Sequence, residues 1–167
     1  FETILKKIGL KTVANNYQSY SKGKVRKIIN LSNNDFNVKI LPLICYEIIY
    51  SGKIFSESDF DYIINISEDG WFGKSIGPQQ HFIHSIFRSI ESGKYILRSA
   101  NNGITAIINP LGFIEQKVDI NKSGYIDLTD VRKMETTLFA KFGNKIFAFI
   151  ILLYIFLIFS FKKLKNE

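Results

Sequence analysis

Along the middle of the chain, short runs rich in β-branched residues are separated by glycine, asparagine and proline, a pattern that predicts strands joined by one helix. "VKILPLI" (38–44) is apolar almost throughout, as a buried strand would be, and "DYIINIS" (61–67) is of the same kind. After Pro78, Phe82, Ile83, Ile86, Phe87 and Ile90 recur at helical spacing over residues 79–92, and Gly93 supplies the stop. "YILRSA" (95–100), "GITAIIN" (103–109) and "FIEQKV" (113–118) read as further strands, the last two joined through the turn "NPLG" (109–112). Strands alternating with a helix predict an α/β layered domain.

The pattern then changes. "IFAFIILLYIFLIFSF" (146–161) carries no charge and no polar stripe, whereas a core helix would show one. At ~1.5 Å per residue the run spans about 24 Å, short of a hydrocarbon core of about 30 Å. Phe142 to Asn144 are expected to lengthen it, with lysines snorkelling at either end. The run therefore predicts a transmembrane helix, either a tail anchor or the last helix of a larger membrane protein. Lys162, Lys163 and Lys165 after it balance Arg132, Lys133, Lys141 and Lys145 before it, so the positive-inside rule gives no orientation.

Composition adds three points. With 46% hydrophobic residues over 167 positions the chain can bury a core, which sets disorder aside. A single cysteine excludes an internal disulfide. The net charge of +7 is concentrated at the start, where residues 1–39 hold eight Lys or Arg against Glu2 and Asp35. Such a stretch suits anionic lipid head groups or nucleic acid, or a solvated loop. No phosphate-cradling loop is present, since "SKGKVRK" lacks the glycine pattern, and His81 with His84 lacks the further ligands a zinc site needs.

The candidate chemistry lies in "LPLICYEIIY" (41–50), where Cys45 ends a buried strand, the place at which α/β folds present reactive groups. A thiol needs a base or cation to become a nucleophile, and the two histidines share one helix face with apolar neighbours. On the residues alone, Cys45 is a nucleophile or a buried structural thiol.

Three segments resolve that choice by resemblance. "LICYE" (43–47), "SEDGWFGKSIGPQQHF" (67–82) and "LRSANNGITAIINPLG" (97–112), in this order and spacing, resemble the bacterial apolipoprotein N-acyltransferase family, a branch of the carbon-nitrogen hydrolase superfamily. The resemblance runs over roughly residues 1–161. It implies the C-terminal half of a nitrilase-type αββα sandwich at residues 1–140, followed by one transmembrane helix and a short basic tail at 141–167. It implies transfer of an acyl chain from a phospholipid donor, through a thioester on Cys45, to the α-amino group of a diacylglyceryl-lipoprotein. Tyr46 would offer a backbone N–H to the oxyanion, and Glu47 an orienting carboxylate, against a packed aromatic and a helix-start acid as their plain structural roles. Trp71, Phe72 and Gly73 match a loop near the active site suited to acyl-chain entry or to core packing. Arg98, Asn101 and Asn102 match a segment that contacts substrate or braces the site. His81 and His84 inherit no catalytic role. No cofactor, metal or nucleic acid is implied. The location implied is the bacterial inner membrane with the catalytic domain periplasmic.

In the superfamily a glutamate base and an oxyanion lysine precede the cysteine. "FETILKKIGL" (1–10) resembles the stretch just after that lysine, the chain opens on Phe1, and Lys22, Lys24, Lys27 and Lys39 do not sit in the lysine's context. The expectation is a fragment that turns over little by itself, with an N-terminal half in the same chain or supplied in trans. The alternatives are a membrane-tethered nitrilase-type amidase and a catalytically dead fragment.

Overall fold

The computed structural model describes residues 27–34, 36–52, 60–129, 131 and 134–166, the last four of these by backbone alone. The sequence reading of the basic start and of "FETILKKIGL" falls largely outside these residues. Six strands form one mixed sheet in the order β1 to β6: β1 (Ile29–Ser32), β2 (Asn37–Ile44), β3 (Tyr62–Glu68), β4 (Tyr95–Asn101), β5 (Thr105–Ile108) and β6 (Ile114–Val118). β2, β3 and β4 run parallel, and the flanking pairs are antiparallel. Helix α1 (Gly77–Ser92) connects β3 to β4. This is the α/β arrangement that the sequence pattern predicts, with β1 added; "INLS" is too short and too exposed to leave a periodic signal.

The parallel register puts Leu41, Ile63 and Ile96 side by side, then Leu43, Asn65 and Arg98, on one face of the sheet. On that face Leu41, Leu43, Ile63, Ile96, Ala106 and Ile108 form the core with Ile48 and Phe82. Each of these Leu, Ile and Phe side chains contributes about 1.5–3 kcal/mol when fully buried. The reverse face is apolar too, but there Ile44 and Ile66 are more than half exposed.

α1 begins with Pro78 in its first turn and ends at Gly93, whose φ of 69° is the left-handed cap expected of a helix-stopping glycine. Its buried side differs from the one its apolar spacing predicts. Phe82 is buried and Ile86 packs against the core, but Ile83, Phe87 and Ile90 are exposed. In their place His81, Ser85, Arg88, Ser89 and Ser92 face inward. His81 and Arg88 reach partners beyond the helix, Asp69 and Ile49 O, while Ser89 and Ser92 turn their hydroxyls back onto carbonyls of the helix itself.

Beyond the sheet, α2 (Leu138–Phe142) precedes α3 (Lys145–Asn166), the one helix among the described residues long and apolar enough to cross a membrane. Its 22 residues span about 33 Å at ~1.5 Å each. Phe142 to Asn144 do not lengthen it as expected, because Gly143 takes φ 55° and breaks the helix there. The extra length lies at the other end, in the lysine-bearing turns.

Candidate active site

Because β2, β3 and β4 are parallel, their C-terminal ends share one edge of the sheet. That edge gathers Cys45, then Ser67 to Asp69, then Asn101 to Gly103. Cys45 is the first residue of a 3₁₀ helix (Cys45–Ile49) and has φ 47°, a left-handed conformation costly for a residue with a Cβ, of order 1–3 kcal/mol. The turn is fastened by the Ile44 N–H, which donates to Glu47 Oε2 at 2.8 Å. Cys45 itself stays half-buried, its thiol unpaired with any other cysteine.

Behind the cysteine lies a buried ionic cluster. Ser67 Oγ sits 3.6 Å from Cys45 Sγ and 2.7 Å from Asp69 Oδ1, and its single proton serves one of the two at a time. His81 Nδ1 stands 2.8 Å from the same carboxylate oxygen, while Arg98 Nη2 donates to Asp69 Oδ2 at 2.7 Å. Arg98 also donates through Nη1 to Asn65 Oδ1 and through Nε to Ile104 O at 3.2 Å. Asn65 completes the circuit, its Nδ2 donating to Leu43 O at 3.0 Å and reaching Cys45 O at 3.4 Å. An unbroken path thus joins the Cys45 backbone to the guanidinium.

A buried ion pair holds only where further hydrogen bonds replace the lost water. Here they do. Burial pushes the Asp69 carboxyl up, but hydrogen bonds from His81 and Ser67 and the charge of Arg98 outweigh it and hold the group below the usual carboxylate range. Burial lowers the pKa of Arg98, and the Asp69 carboxylate opposes that shift. With Nδ1 donating to the carboxylate, His81 Nε2 is left buried and without a partner among the described residues. The ring lies 5.7 Å from that of Tyr46 and 5.5 Å from that of Phe72. His84, three residues on, is half-buried.

The structure therefore brings some of the sequence candidates together and separates others. Tyr46 is 54% exposed over the imidazole, and Glu47 serves the helix start. Trp71 and Phe72 lie on a second 3₁₀ helix (Asp69–Phe72) closed by Gly73; Trp71 is 87% exposed, so it packs no core. Arg98 is inside the cluster, whereas Asn101 turns outward to Glu68 Oε2 and Asn102 takes a left-handed φ of 56° in the turn to β5. A Cβ on Gly103 would fall 2.1 Å from Asp69 Oδ2, so the last residue of "NNG" must be glycine for the carboxylate to sit where it does.

Sequence reasoning missed Asn65, Ser67 and Asp69, and it set His81 aside although that ring is hydrogen-bonded within the cluster. A signal was present: an arginine and an asparagine within otherwise apolar strands demand buried partners.

Comparison with known proteins places these features. The carbon-nitrogen hydrolase family matches residues 14–134. The apolipoprotein N-acyltransferase of Rickettsia bellii is 46% identical over 125 residues, covering 74% of this chain and 25% of that protein. Its counterpart in Rickettsia prowazekii is 45% identical over 111 residues (65% and 22%), and that of Rhizobium rhizogenes 35% over 130 residues (77% and 24%). The chain thus spans about a quarter of the length of the curated relatives it matches. Among solved structures, an amidase from Nesterenkonia sp. AN1, caught with acrylamide added to its active-site cysteine, aligns with TM-score 0.45 at 12% identity, over 60% of this chain and 41% of that one.

Proposed function

Since the chain belongs to the carbon-nitrogen hydrolase family, we propose that it is part of an apolipoprotein N-acyltransferase in which Cys45 is the acyl-accepting nucleophile. The observation that carries this reading is the placement of Cys45: a strained left-handed residue where parallel strands end, its sulfur 3.6 Å from a serine braced by a buried ion pair. Strain kept at one such residue is a mark of a functional position. The similarity to three acyltransferases supplies the reaction class.

In the first half-reaction the Cys45 thiolate attacks the ester carbonyl of a phospholipid. A C–S bond forms, the C–O bond breaks, and the lysophospholipid leaves as an alcohol after taking up a proton. In the second, the free α-amine of the diacylglyceryl-cysteine attacks the thioester. A C–N bond forms, the C–S bond breaks, and the amine proton restores the thiol. This chain's own contribution is to aim the sulfur. Asn65 and Ser67 tie the cysteine's backbone and side chain to the Arg98–Asp69 pair, so the sulfur is held in place before substrate arrives. The glutamate base and oxyanion lysine that the resemblance calls for are assigned to no residue here.

Phe72 beside the histidine and the exposed Trp71 next to it in the chain suit an acyl chain arriving from lipid, with Gly73 ending their short helix. Arg98 braces the site, while Asn101 and Asn102 shape its rim. α3 supplies the anchor, and the reading places the sheet on the periplasmic side of the inner membrane.

The test is to supply acyl-labelled phospholipid to native membranes in which the half bearing the glutamate base and the oxyanion lysine is present, in the same chain or in trans. A hydroxylamine-labile label on Cys45, absent in Cys45→Ala and discharged by a diacylglyceryl-cysteine peptide, is expected. Ammonia release from simple amides without need of phospholipid would replace this reading with an amidase.

A further inference from the structure

The C-terminal end of α1 carries a second polar cluster that the acyl-transfer chemistry does not use. Glu91 Oε1 accepts from Ser51 Oγ and from Arg88 Nη2, both at 2.8 Å, and Arg88 Nη1 donates to Ile49 O at 3.4 Å. Ile49 ends the 3₁₀ helix that Cys45 begins, so these bonds hold the exit of the cysteine's helix against α1. The backbone oxygen of the same Glu91 accepts from Thr137 Oγ1. Thr137 is the N-cap of α2, and its hydroxyl oxygen also accepts the Ala140 N–H at 3.0 Å. One residue therefore binds the cysteine's segment through its side chain and the approach to the membrane helix through its backbone.

Two further contacts lock the same place. A Cβ on Gly93 would meet Glu135 O at 2.7 Å and Thr137 Cγ2 at 3.0 Å, so the segment before α2 lies directly on the end of α1. Gly52 and Gly143 both adopt left-handed backbone, and a Cβ on Gly143 would stand 3.1 Å from Gly52 O. The exit from the cysteine's helix and the entrance to α3 thus touch backbone to backbone.

We propose that this junction is the joint that holds the membrane helix at a fixed position relative to Cys45, with Glu91 as its positioning residue. The proposal rests on the reading above, in which α3 crosses the bilayer and Cys45 takes its acyl chain from a phospholipid within it. A nucleophile that draws substrate from a bilayer must sit at a set height over it, and misplacement by 1 Å can reduce a rate about 100-fold. The anchor and the nucleophile are distant in sequence, and the end of α1 is where their segments are fastened together.

The experiment places nitroxide labels at Trp71→Cys and Phe156→Cys in a Cys45→Ser background, with the protein in lipid vesicles, and measures their separation by pulsed electron paramagnetic resonance. A single narrow distribution is expected, and the pair Glu91→Ala with Thr137→Val broadens it. With Cys45 restored, and in membranes where the half bearing the base and the lysine is present, that pair is expected to lower acyl labelling from bilayer phospholipid about tenfold while alkylation of Cys45 by iodoacetamide stays within about twofold. A broad distribution in the parent, an unchanged one in the variant, or an equal fall in alkylation and acylation overturns the joint. Should the pair fail to fold, Thr137→Val alone removes only a hydroxyl, and no broadening there overturns it as well. A distribution that broadens as expected in a protein that never takes acyl label leaves the joint standing and removes the acyltransferase reading.

Discussion

Two arginine–carboxylate pairs, one beneath α1 and one on α1 itself, have opposite electrostatic outcomes. In the Asp69–Arg98 pair both carboxylate oxygens and all three guanidinium nitrogens are hydrogen-bonded, and the carboxyl is held below its ordinary range. In the Glu91–Arg88 pair, Glu91 Oε2 and Arg88 Nε are buried without partners among the described residues. There burial pushes the Glu91 carboxyl up, and the Ser51 hydroxyl and Arg88 charge only partly offset it. The same two chemistries differ in the number of donors around the carboxylate, and that number sets the direction in which burial moves its pKa. The saturated pair lies behind the cysteine, where a fixed charge has a use. The unsaturated one lies at a mechanical junction.

Removing one carboxylate at a time separates the two pairs most strongly. Asp69→Ala leaves Arg98 buried and unpaired and is expected to cost about 3–5 kcal/mol, read from denaturant unfolding in mild detergent. Glu91→Ala removes a carboxyl that is 19% exposed and half-satisfied, and is expected to cost less than half of that; equal losses would erase the distinction.

The pH dependence of stability sharpens it with opposite signs. Asp69 has its folded pKa below its unfolded value of about 3.9, so its contribution is complete above that value and is lost as pH falls through the lower folded one. Glu91 is raised, so its contribution is complete below about pH 4.3 and is lost as pH rises through the folded value. Asp69→Asn should therefore flatten the acid limb of the stability profile and Glu91→Gln the opposite one.

A smaller effect is expected at Gly103→Ala, where the added methyl displaces the Asp69 carboxylate at a cost of about 1–3 kcal/mol. Its signature is slowed alkylation of Cys45 by iodoacetamide, which no Gly substitution at the Glu91 junction should reproduce. The smallest is Trp71→Ala, where an almost fully exposed side chain should change stability by no more than about 0.5 kcal/mol. If the exposed indole meets the acyl chain, labelling of Cys45 from phospholipid falls while alkylation does not.

Much of the fold was legible because the central strands must be apolar to be buried, and "VKILPLI" and "DYIINIS" say so without ambiguity. Gly93 and the turn at Asn109 were equally plain, the latter closed by the Gly112 N–H donating to Asn109 O at 2.9 Å. The buried side of α1 was not. Its isoleucines advertise a core-facing stripe, yet the sheet below offers Asn65, Asp69 and Arg98, and a histidine bonded to that carboxylate is worth more inside than Ile83 is. Cys45 could be singled out by its place in the chain. The groups that hold it were hidden because they come from two strands, a short 3₁₀ turn and one helix, 20 to 53 residues away, and no periodicity records a meeting of that kind.

The strand order has a consequence for how the molecule is made. Among the described residues each strand after β1 pairs with the one that precedes it in the chain, so this part of the sheet can grow by one edge at a time as the polypeptide emerges. Cys45 and its bracing serine are then adjacent once β3 docks, but the guanidinium arrives only with β4, after α1 has formed. Until that moment Asp69 has no cation, and the last piece to be added to the site is the charge that steadies it.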